Sequence, residues 1–189
     1  MPSILLSAPL VEPVTLDEAK ATLRVEHDDD DDVIAALIAG ARVHVEAQTR
    51  RALITQSWRL SRDSWPEDGR LKVLPAPLQA LTAARVYDEG GGTRDVDAQA
   101  FVLDLAASIL AFAPWALPMP GRSVAGIELD VTVGYGDDAS DVPEPLRQAI
   151  RLLVAHWYEN RGLVANGAAS APLPQTVAAL LAPYRMLAL

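Results

Sequence analysis

Five consecutive aspartates, Asp28 to Asp32, are the group of residues with the clearest potential for chemistry in this sequence. Clustered carboxylates bind Ca²⁺, but an EF-hand loop alternates its ligands and carries a bidentate glutamate at its twelfth position. The twelfth residues counted from the five aspartates are Ala39, Gly40, Ala41, Arg42 and Val43. The run therefore favours a solvated loop whose last carboxylates cap the following helix and favour its N-terminal dipole. A small calcium-binding module is the alternative.

The other residue types of catalytic and metal sites are scarce. The three histidines, His27, His44 and His156, lack the spacing of a metal motif. No cysteine is present, which excludes disulfides, cysteine-ligated zinc and thiol catalysis. The sequence also has no nucleophile elbow, phosphate-binding loop or dinucleotide fingerprint. We predict no catalytic residues, no metal ligands and no cofactor, with a small acidic enzyme as the alternative.

Arg147 and Arg151 place like charges four residues apart on a predicted helix, an arrangement that disfavours an isolated helix. A compensating acidic partner is expected in the same chain, in a neighbouring subunit or in another protein. A solvated basic face is the alternative interpretation. Trp157 and Tyr158 follow on the same helix, and we expect them to serve in core and interface packing rather than in a ligand cage.

Helices are predicted at both ends of the chain. Thr15 followed by Glu18 is a capping-box pattern for a short helix that continues to about Leu23. A second helix begins near Asp32, because its apolar residues recur at helical spacing. Those residues are Val33, Ile34, Leu37, Ile38, Ala41 and Val45. A third helix follows Pro143 and ends near Asn160. A Gly/Ala/Asn/Ser/Pro linker, 162–174, precedes a last short helix, 175–181.

The middle of the chain alternates with a period of two, which is typical of strands. The clearest strand runs from Ile127 to Tyr135, with one face expected to be buried and the other wet. Weaker strands are predicted at 54–60, 71–74, 83–87 and 101–103. The glycines at 90–92 lack the lysine and helix of a phosphate-binding loop and favour a hairpin turn.

The composition is acidic and half hydrophobic. The 189 residues include 16 Lys and Arg against 25 Asp and Glu, for a net charge of −9. The acidic excess lies in residues 1–142, whereas residues 143–189 hold 2 acidic and 4 basic residues. With lysines only at Lys20 and Lys72, sequence-specific or patch-type DNA binding is disfavoured. The first ten residues do not indicate an export signal, and prolines interrupt the long uncharged stretches, so we predict no membrane span.

Several segments, in order, resemble the head-tail connector (adaptor) proteins of long-tailed bacteriophages and gene transfer agents. The N-terminal ones are Thr15 to Lys20, Leu23 to Val25, the aspartate loop, the helix Val33 to Thr49, and Arg51 to Ile54. The later ones are Pro77-Leu78, Val86 to Asp88, Val131 to Gly136, Val142-Pro143, Ala155 to Arg161, and Leu181 to Arg185. Arg50 is a departure, since the family often has a helix-ending glycine there.

The resemblance implies a structural protein and no enzyme. It implies a ring of identical subunits, usually twelve, in the neck of a virion or gene transfer agent particle assembled in the bacterial cytoplasm. The ring would lie between the portal protein and a stopper or tail-completion protein, with DNA passing through its channel without sequence-specific binding. A stopper or tail-terminator protein is the alternative role.

The resemblance also implies functions for named residues. The expected portal-docking residues are Tyr184, Arg185, Met186, Leu187 and Leu189, at the apolar end of the chain. A frayed terminus is the alternative. Subunit contacts would pair acidic and basic surfaces, with Arg147 and Arg151 as the basic members.

We therefore predict an α+β fold, in which N- and C-terminal helices pack together around a β-rich antiparallel insertion and a flexible C-terminal segment follows. Its parts are an N-terminal helical part, 1–52, the insertion, 53–141, a C-terminal helix, 142–161, and a linker with the docking segment, 162–189. All four parts are expected to form a single structural unit.

Overall fold

A computed structural model describes residues 3–160 and 175–186 of the chain. The chain divides into two compact units. A sheet unit is formed by Met1–Pro9 with Thr55–Tyr135, and a helical unit by Leu10–Ile54 with Gly136–Leu189. The sheet unit thus combines most of the predicted insertion with the first residues of the chain.

The helical unit is built from four α-helices in its described residues. They are α1 (Leu16–Leu23), α2 (Asp31–Thr49), α3 (Glu144–Glu159) and α4 (Gln175–Leu181), with 3₁₀ turns at Ala139–Asp141 and Ala182–Tyr184. Helix α3 packs against the other three helices. The side chains buried along α2 and α3 are Ile34, Ile38, Ala41, Val45, Leu146, Ala149, Ile150, Leu153 and Val154. The apolar faces predicted from helical spacing therefore form the core of this unit.

Local sequence explains how these helices begin and end. Thr15 and Glu18 form the predicted capping box at the start of α1. Helix α2 ends at Arg50, which adopts a left-handed conformation with φ of 56° and donates its backbone N–H to the carbonyl of Glu46. Arg24 ends α1 in the same conformation, with φ of 58°. The usual helix-ending geometry is therefore present without the glycine that favours it.

The sheet unit contains eight strands in its described residues. They are β1 (Ser3–Ser7), β2 (Gln56–Arg62), β3 (Arg70–Lys72), β4 (Leu78–Tyr87), β5 (Thr93–Val96), β6 (Phe101–Asp104), β7 (Ile109–Phe112) and β8 (Ile127–Val133), with 3₁₀ turns at Ala98–Ala100 and Pro114–Ala116. They form a five-stranded sheet in the order β1-β2-β8-β4-β5 and a three-stranded sheet in the order β3-β7-β6. All neighbouring strands are antiparallel.

Strand β8 is central because β2 and β4 pair along both of its sides. One face of β8 is buried, with Ile127, Leu129, Val131 and Val133 fully inaccessible. The opposite face carries Asp130, which is only 7% exposed. The expectation of a wet second face is therefore wrong at this position, because arginines from both neighbouring strands cover the carboxylate.

The predicted α+β class and the packing of the N- and C-terminal helices are confirmed. The glycines at 90–92 lie in the hairpin between β4 and β5, as predicted. Strands β1, β5 and β7 were not predicted. The linker at 162–174 and the end of the predicted flexible segment, 187–189, lie outside the described residues.

Candidate functional site

Arg147, an expected subunit contact, is bound within the helical unit. Its guanidinium donates hydrogen bonds to the carbonyl of Pro13 at 2.9 Å and to the carboxylates of Glu18 and Glu144. Its side chain is only 16% exposed. Glu18 also accepts the backbone N–H of Thr15, and this bond, followed by Arg147, holds the pKa of Glu18 below its usual value. Arg147 therefore ties α3 to the segment that starts α1.

Arg151 has contacts of a more local kind. It binds Glu144 and the side-chain oxygen of Gln148, both on its own helix α3. Glu144 thus lies between Arg147 and Arg151 and compensates their mutual repulsion. The acidic partner expected for the two arginines is therefore supplied by the same chain. A further role in subunit contacts stays a prediction.

The aspartate loop is organised by Lys20 of α1. Its ammonium lies 2.7 Å from carboxylate oxygens of both Asp28 and Asp31. Hydrogen bonds to Asp28 and Asp31 raise the pKa of Lys20 to about 12. Asp30, which precedes α2, makes no side-chain cap but accepts a hydrogen bond from the Tyr158 hydroxyl. The expected carboxylate cap is therefore wrong, and the loop instead connects α2 to α1 and α3.

The expected portal-docking residues divide between described and undescribed parts of the chain. Leu187 and Leu189 lie outside the described residues. Tyr184, Arg185 and Met186 follow α4 and lie at the C-terminal end of α2.

Hydrogen bonds to the end of α2 and to Arg51 hold this part of the chain. The Arg51 guanidinium donates to the Tyr184 carbonyl at 2.7 Å and to the Met186 sulfur at 3.4 Å. The Met186 backbone N–H donates to the Thr49 carbonyl at 3.0 Å. Arg185 donates to the side chain of Gln48 at 3.3 Å. Residues 184–186 are therefore anchored to the end of α2.

A charge cluster on the five-stranded sheet was missed by the sequence analysis. Arg59 of β2 binds both carboxylate oxygens of Asp130, at 2.7 and 2.9 Å, and Arg85 of β4 binds one of them at 2.8 Å. The hydrogen bonds from Arg59, and to a smaller extent the one from Arg85, hold the pKa of Asp130 below its usual value despite burial. The sequence predicted only that Asp130 lies on the wet face of its strand. Only the register, which pairs Arg59 with Asp130, brings them together.

His44 and His156 contact neighbouring side chains of the helical unit. The rings of His44 and Trp157 meet edge to face, with centroids 6.0 Å apart. His156 lies beside Asn160 near the end of α3. In the described ranges, 3–160 and 175–186, no group of three or more acidic, histidine or cysteine side chains is placed to hold a metal. Within the same ranges, no helix has the length and apolarity needed to cross a membrane.

Large apolar side chains are exposed at three places in the described part of the sheet unit, one of which is Val102 with Leu105 at the end of β6. All five residues of β1 are exposed, including Ile4, Leu5 and Leu6. Between β7 and β8, Trp115 and Met119 are 89% and 75% exposed. Exposed apolar groups of this size are typical of surfaces that bind another protein.

The chain matches the family model of the phage gp6-like head-tail connector protein over residues 13–111 and 105–185. It is a member of that family. The connector therefore belongs to a family of structural neck proteins, not of enzymes, as the sequence predicted. The matched ranges include α1 to α3 and the anchored Tyr184 and Arg185.

Three solved structures are similar to this connector along its whole length. The neck of an empty gene transfer agent particle, computed with C6 symmetry, contains a chain that is 26% identical, with a TM-score of 0.82. A virion of a native gene transfer agent particle gives 27% identity and a TM-score of 0.81. The neck of a native particle, computed with C12 symmetry, gives 26% identity and a TM-score of 0.79. Each match covers 100% of the connector and 97% of the other chain. No curated protein matches the connector significantly.

Proposed function

We propose that this connector is the adaptor of a gene transfer agent or phage neck, forming a ring of twelve copies between the portal protein and the stopper or tail-completion protein. The main support is the full-length similarity to a chain from a particle neck computed with C12 symmetry. The ring would assemble on the portal in the bacterial cytoplasm and continue the DNA channel. Its action is mechanical, since it joins two assemblies and involves no reaction.

The charge of the connector suits a conduit for DNA. The net charge is −9, and lysines occur only at Lys20 and Lys72. Lys20 is already bound to Asp28 and Asp31. A channel wall of net negative charge repels the phosphate backbone, so packaged DNA slides past it without sequence-specific binding.

The portal contact is assigned to the end of the chain, Tyr184 to Leu189. The anchoring of residues 184–186 on α2 supports this assignment, because a segment fixed before binding loses less conformational entropy on docking. Docking by Tyr184, Arg185 and Met186 would then extend the helical unit onto the portal surface, with Leu187 and Leu189 as apolar contacts.

A truncation after Met186 tests portal docking. It removes Leu187 to Leu189 and leaves the described contacts of Arg51, Thr49 and Gln48 intact. We expect the truncated connector to keep its unfolding midpoint and to lose binding to purified portal rings by at least about tenfold. An Arg70→Ala variant, altered at an exposed residue of β3, is the matched control and should bind normally. Unchanged portal binding by the truncated chain would refute the docking assignment.

The same binding experiment separates an adaptor from a stopper or tail-terminator protein. An adaptor binds portal rings directly, whereas a stopper requires an adaptor ring that is already in place. Failure of the full-length connector to bind portal rings alone would contradict the adaptor role.

Arg151 is the better residue for testing a basic subunit contact. Arg147 reaches Pro13 and Glu18, so its charge reversal would disturb the helical unit itself. Arg151 contacts only α3 among the described bonds. We expect Arg151→Glu to weaken ring assembly, with Arg94→Glu on exposed β5 as the control. If the two variants assemble into rings equally well, Arg151 is not part of the subunit contact.

A further inference from the structure

Strand β1 is unusual among the described strands because it has no charged residue and all of its residues are exposed. Its residues Ser3 to Ser7 pair with β2 in an antiparallel ladder. All five are nevertheless exposed, with Ile4 at 58%, Leu5 at 43% and Leu6 at 46%. Successive side chains of a strand point to opposite faces, so apolar groups are open to solvent on both sides of this strand.

The other sheet edges in the described part of the chain carry charges. The two sheets end at β1 and β5 and at β3 and β6. Strand β5 contains Arg94 and Asp95, β3 contains Arg70 and Lys72, and β6 ends at Asp104. Charged residues on an edge strand discourage pairing with another chain. Strand β1, with the sequence Ser-Ile-Leu-Leu-Ser, has no charge and lacks this protection.

We propose that β1 is a contact surface between neighbouring copies of the connector, covered in the ring by the next subunit. This inference rests on the ring proposed above. A cyclic ring is closed by head-to-tail contacts, so each copy needs two different surfaces that fit each other. We assign the partner that covers β1 as a second copy of this chain. Similar chains come from necks computed with C6 and C12 symmetry, in which subunits recur around the axis. The uncharged apolar edge supplies one of the two surfaces.

Two pairs of substitutions test this contact. The variant Ile4→Lys/Leu6→Lys places two positive charges on β1. The control Val102→Lys/Leu105→Lys places the same charges on exposed apolar residues at the edge of the other sheet, where Val102 is 71% and Leu105 is 49% exposed. Because all four side chains are exposed, both variants should keep the wild-type unfolding midpoint.

Ring formation on purified portal rings is then counted by electron microscopy. We expect the β1 variant to reduce the fraction of portals with a complete connector ring by at least about tenfold, and the control to leave that fraction unchanged. Wild-type levels for the β1 variant, or an equal loss for both variants, would overturn the β1 contact while the adaptor role stands. Absence of rings with the wild-type connector would overturn the adaptor role as well.

Hydrogen exchange of the unmodified connector gives a second readout. The β1 amides that do not face β2 should exchange rapidly in the free subunit and at least about tenfold more slowly in the portal-bound ring. Equal exchange rates for β1 in the two states would show that no neighbour covers the strand.

Discussion

Hydrogen bonds donated by arginine serve different purposes in the two units of the molecule. In the helical unit, Arg42 and Arg147 reach Glu12 and Pro13, which lie in an irregular segment, and Arg51 holds the end of the chain at Tyr184. In the sheet unit, Arg59 and Arg85 meet Asp130 from strands that a backbone ladder already holds. The helical unit therefore uses arginine to position segments that lack regular hydrogen bonds. In the sheet unit, arginine compensates a buried charge.

Replacing Asp130 should give the largest effect. Asp130→Asn removes the carboxylate that both Arg59 and Arg85 bind. It leaves them the more distant carboxylate of Glu128, at 3.6 and 4.0 Å. We expect a loss of about 3 kcal/mol in the free energy of unfolding, measured by urea titration. Asp95→Asn is the control, because that carboxylate is 89% exposed and 3.9 Å from Arg85; its loss should stay below about 0.5 kcal/mol. Similar losses for the two variants would contradict a special role for the buried carboxylate.

Arg147 and Arg151 provide the corresponding test in the helical unit. Arg147→Ala removes bonds to Pro13, Glu18 and Glu144 and should destabilise the protein by about 1.5 kcal/mol. Arg151→Ala removes contacts within α3 alone and should lower stability by about 0.5 kcal/mol. Urea unfolding followed by tryptophan fluorescence, to which Trp157 on α3 contributes, measures both. A larger loss of stability for Arg151→Ala than for Arg147→Ala would mean that the bonds of Arg147 to Pro13 and Glu18 do not contribute extra stability.

Acid should distinguish the two units further. The pKa values of Asp130 and Glu18 are lower in the folded protein than usual, chiefly through Arg59 for the first and the Thr15 backbone for the second. Their stabilising contributions are present above the unfolded pKa values of about 4 and are lost as the pH falls through the folded values. Stability measured from pH 6 to pH 2 should therefore decline below about pH 4.

Single substitutions assign the decline to one unit. Asp130→Asn should flatten the acid decline more than Glu18→Gln, because the Asp130 side chain is 10% exposed and that of Glu18 is 38% exposed. If Glu18→Gln flattens the acid decline more than Asp130→Asn does, the main acid sensitivity lies in the helical unit.

Replacing Arg50 should give the smallest change in stability, because the change comes from the backbone conformation at this position. Its φ of 56° is unfavourable for a residue with a side chain, so Arg50→Gly should stabilise the protein by about 0.5 kcal/mol. The control Ala47→Gly, at an exposed position inside α2, should destabilise it by about 1 kcal/mol. Thermal unfolding of both variants measures the difference. Destabilisation by Arg50→Gly would show that the arginine side chain matters more than its conformation.

The sequence predicted most of the elements that bury one face, although β7, which buries Leu110, was missed. Helices α1 to α4 and strand β8 have apolar residues at the spacing of their own geometry, and Thr15 with Glu18 locates the start of α1 within one residue. Strand β1 was missed because both of its faces are exposed in the single chain, so burial imposes no alternation on it. Strand β5 was missed because its sequence, Thr-Arg-Asp-Val, is polar at an edge.

The side-chain contacts of Asp130 and Lys20 were less predictable from the sequence than the helices and strands. That Asp130 meets Arg59 and Arg85 depends on strand register, which nothing local in the sequence specifies. The pairing of Lys20 with Asp28 and Asp31 depends on how the loop returns to α1. The resemblance to head-tail connectors, in contrast, was confirmed because it was carried by many short segments in a fixed order.

The anchoring of Met186 to Thr49 fixes the starting point of the residues that are expected to dock on the portal. A fully extended chain spans at most about 3.6 Å per residue, so a contact made by Leu187 or Leu189 must lie within about 11 Å of Met186. A portal surface bound through these two leucines would therefore have to approach the last turn of α2 closely.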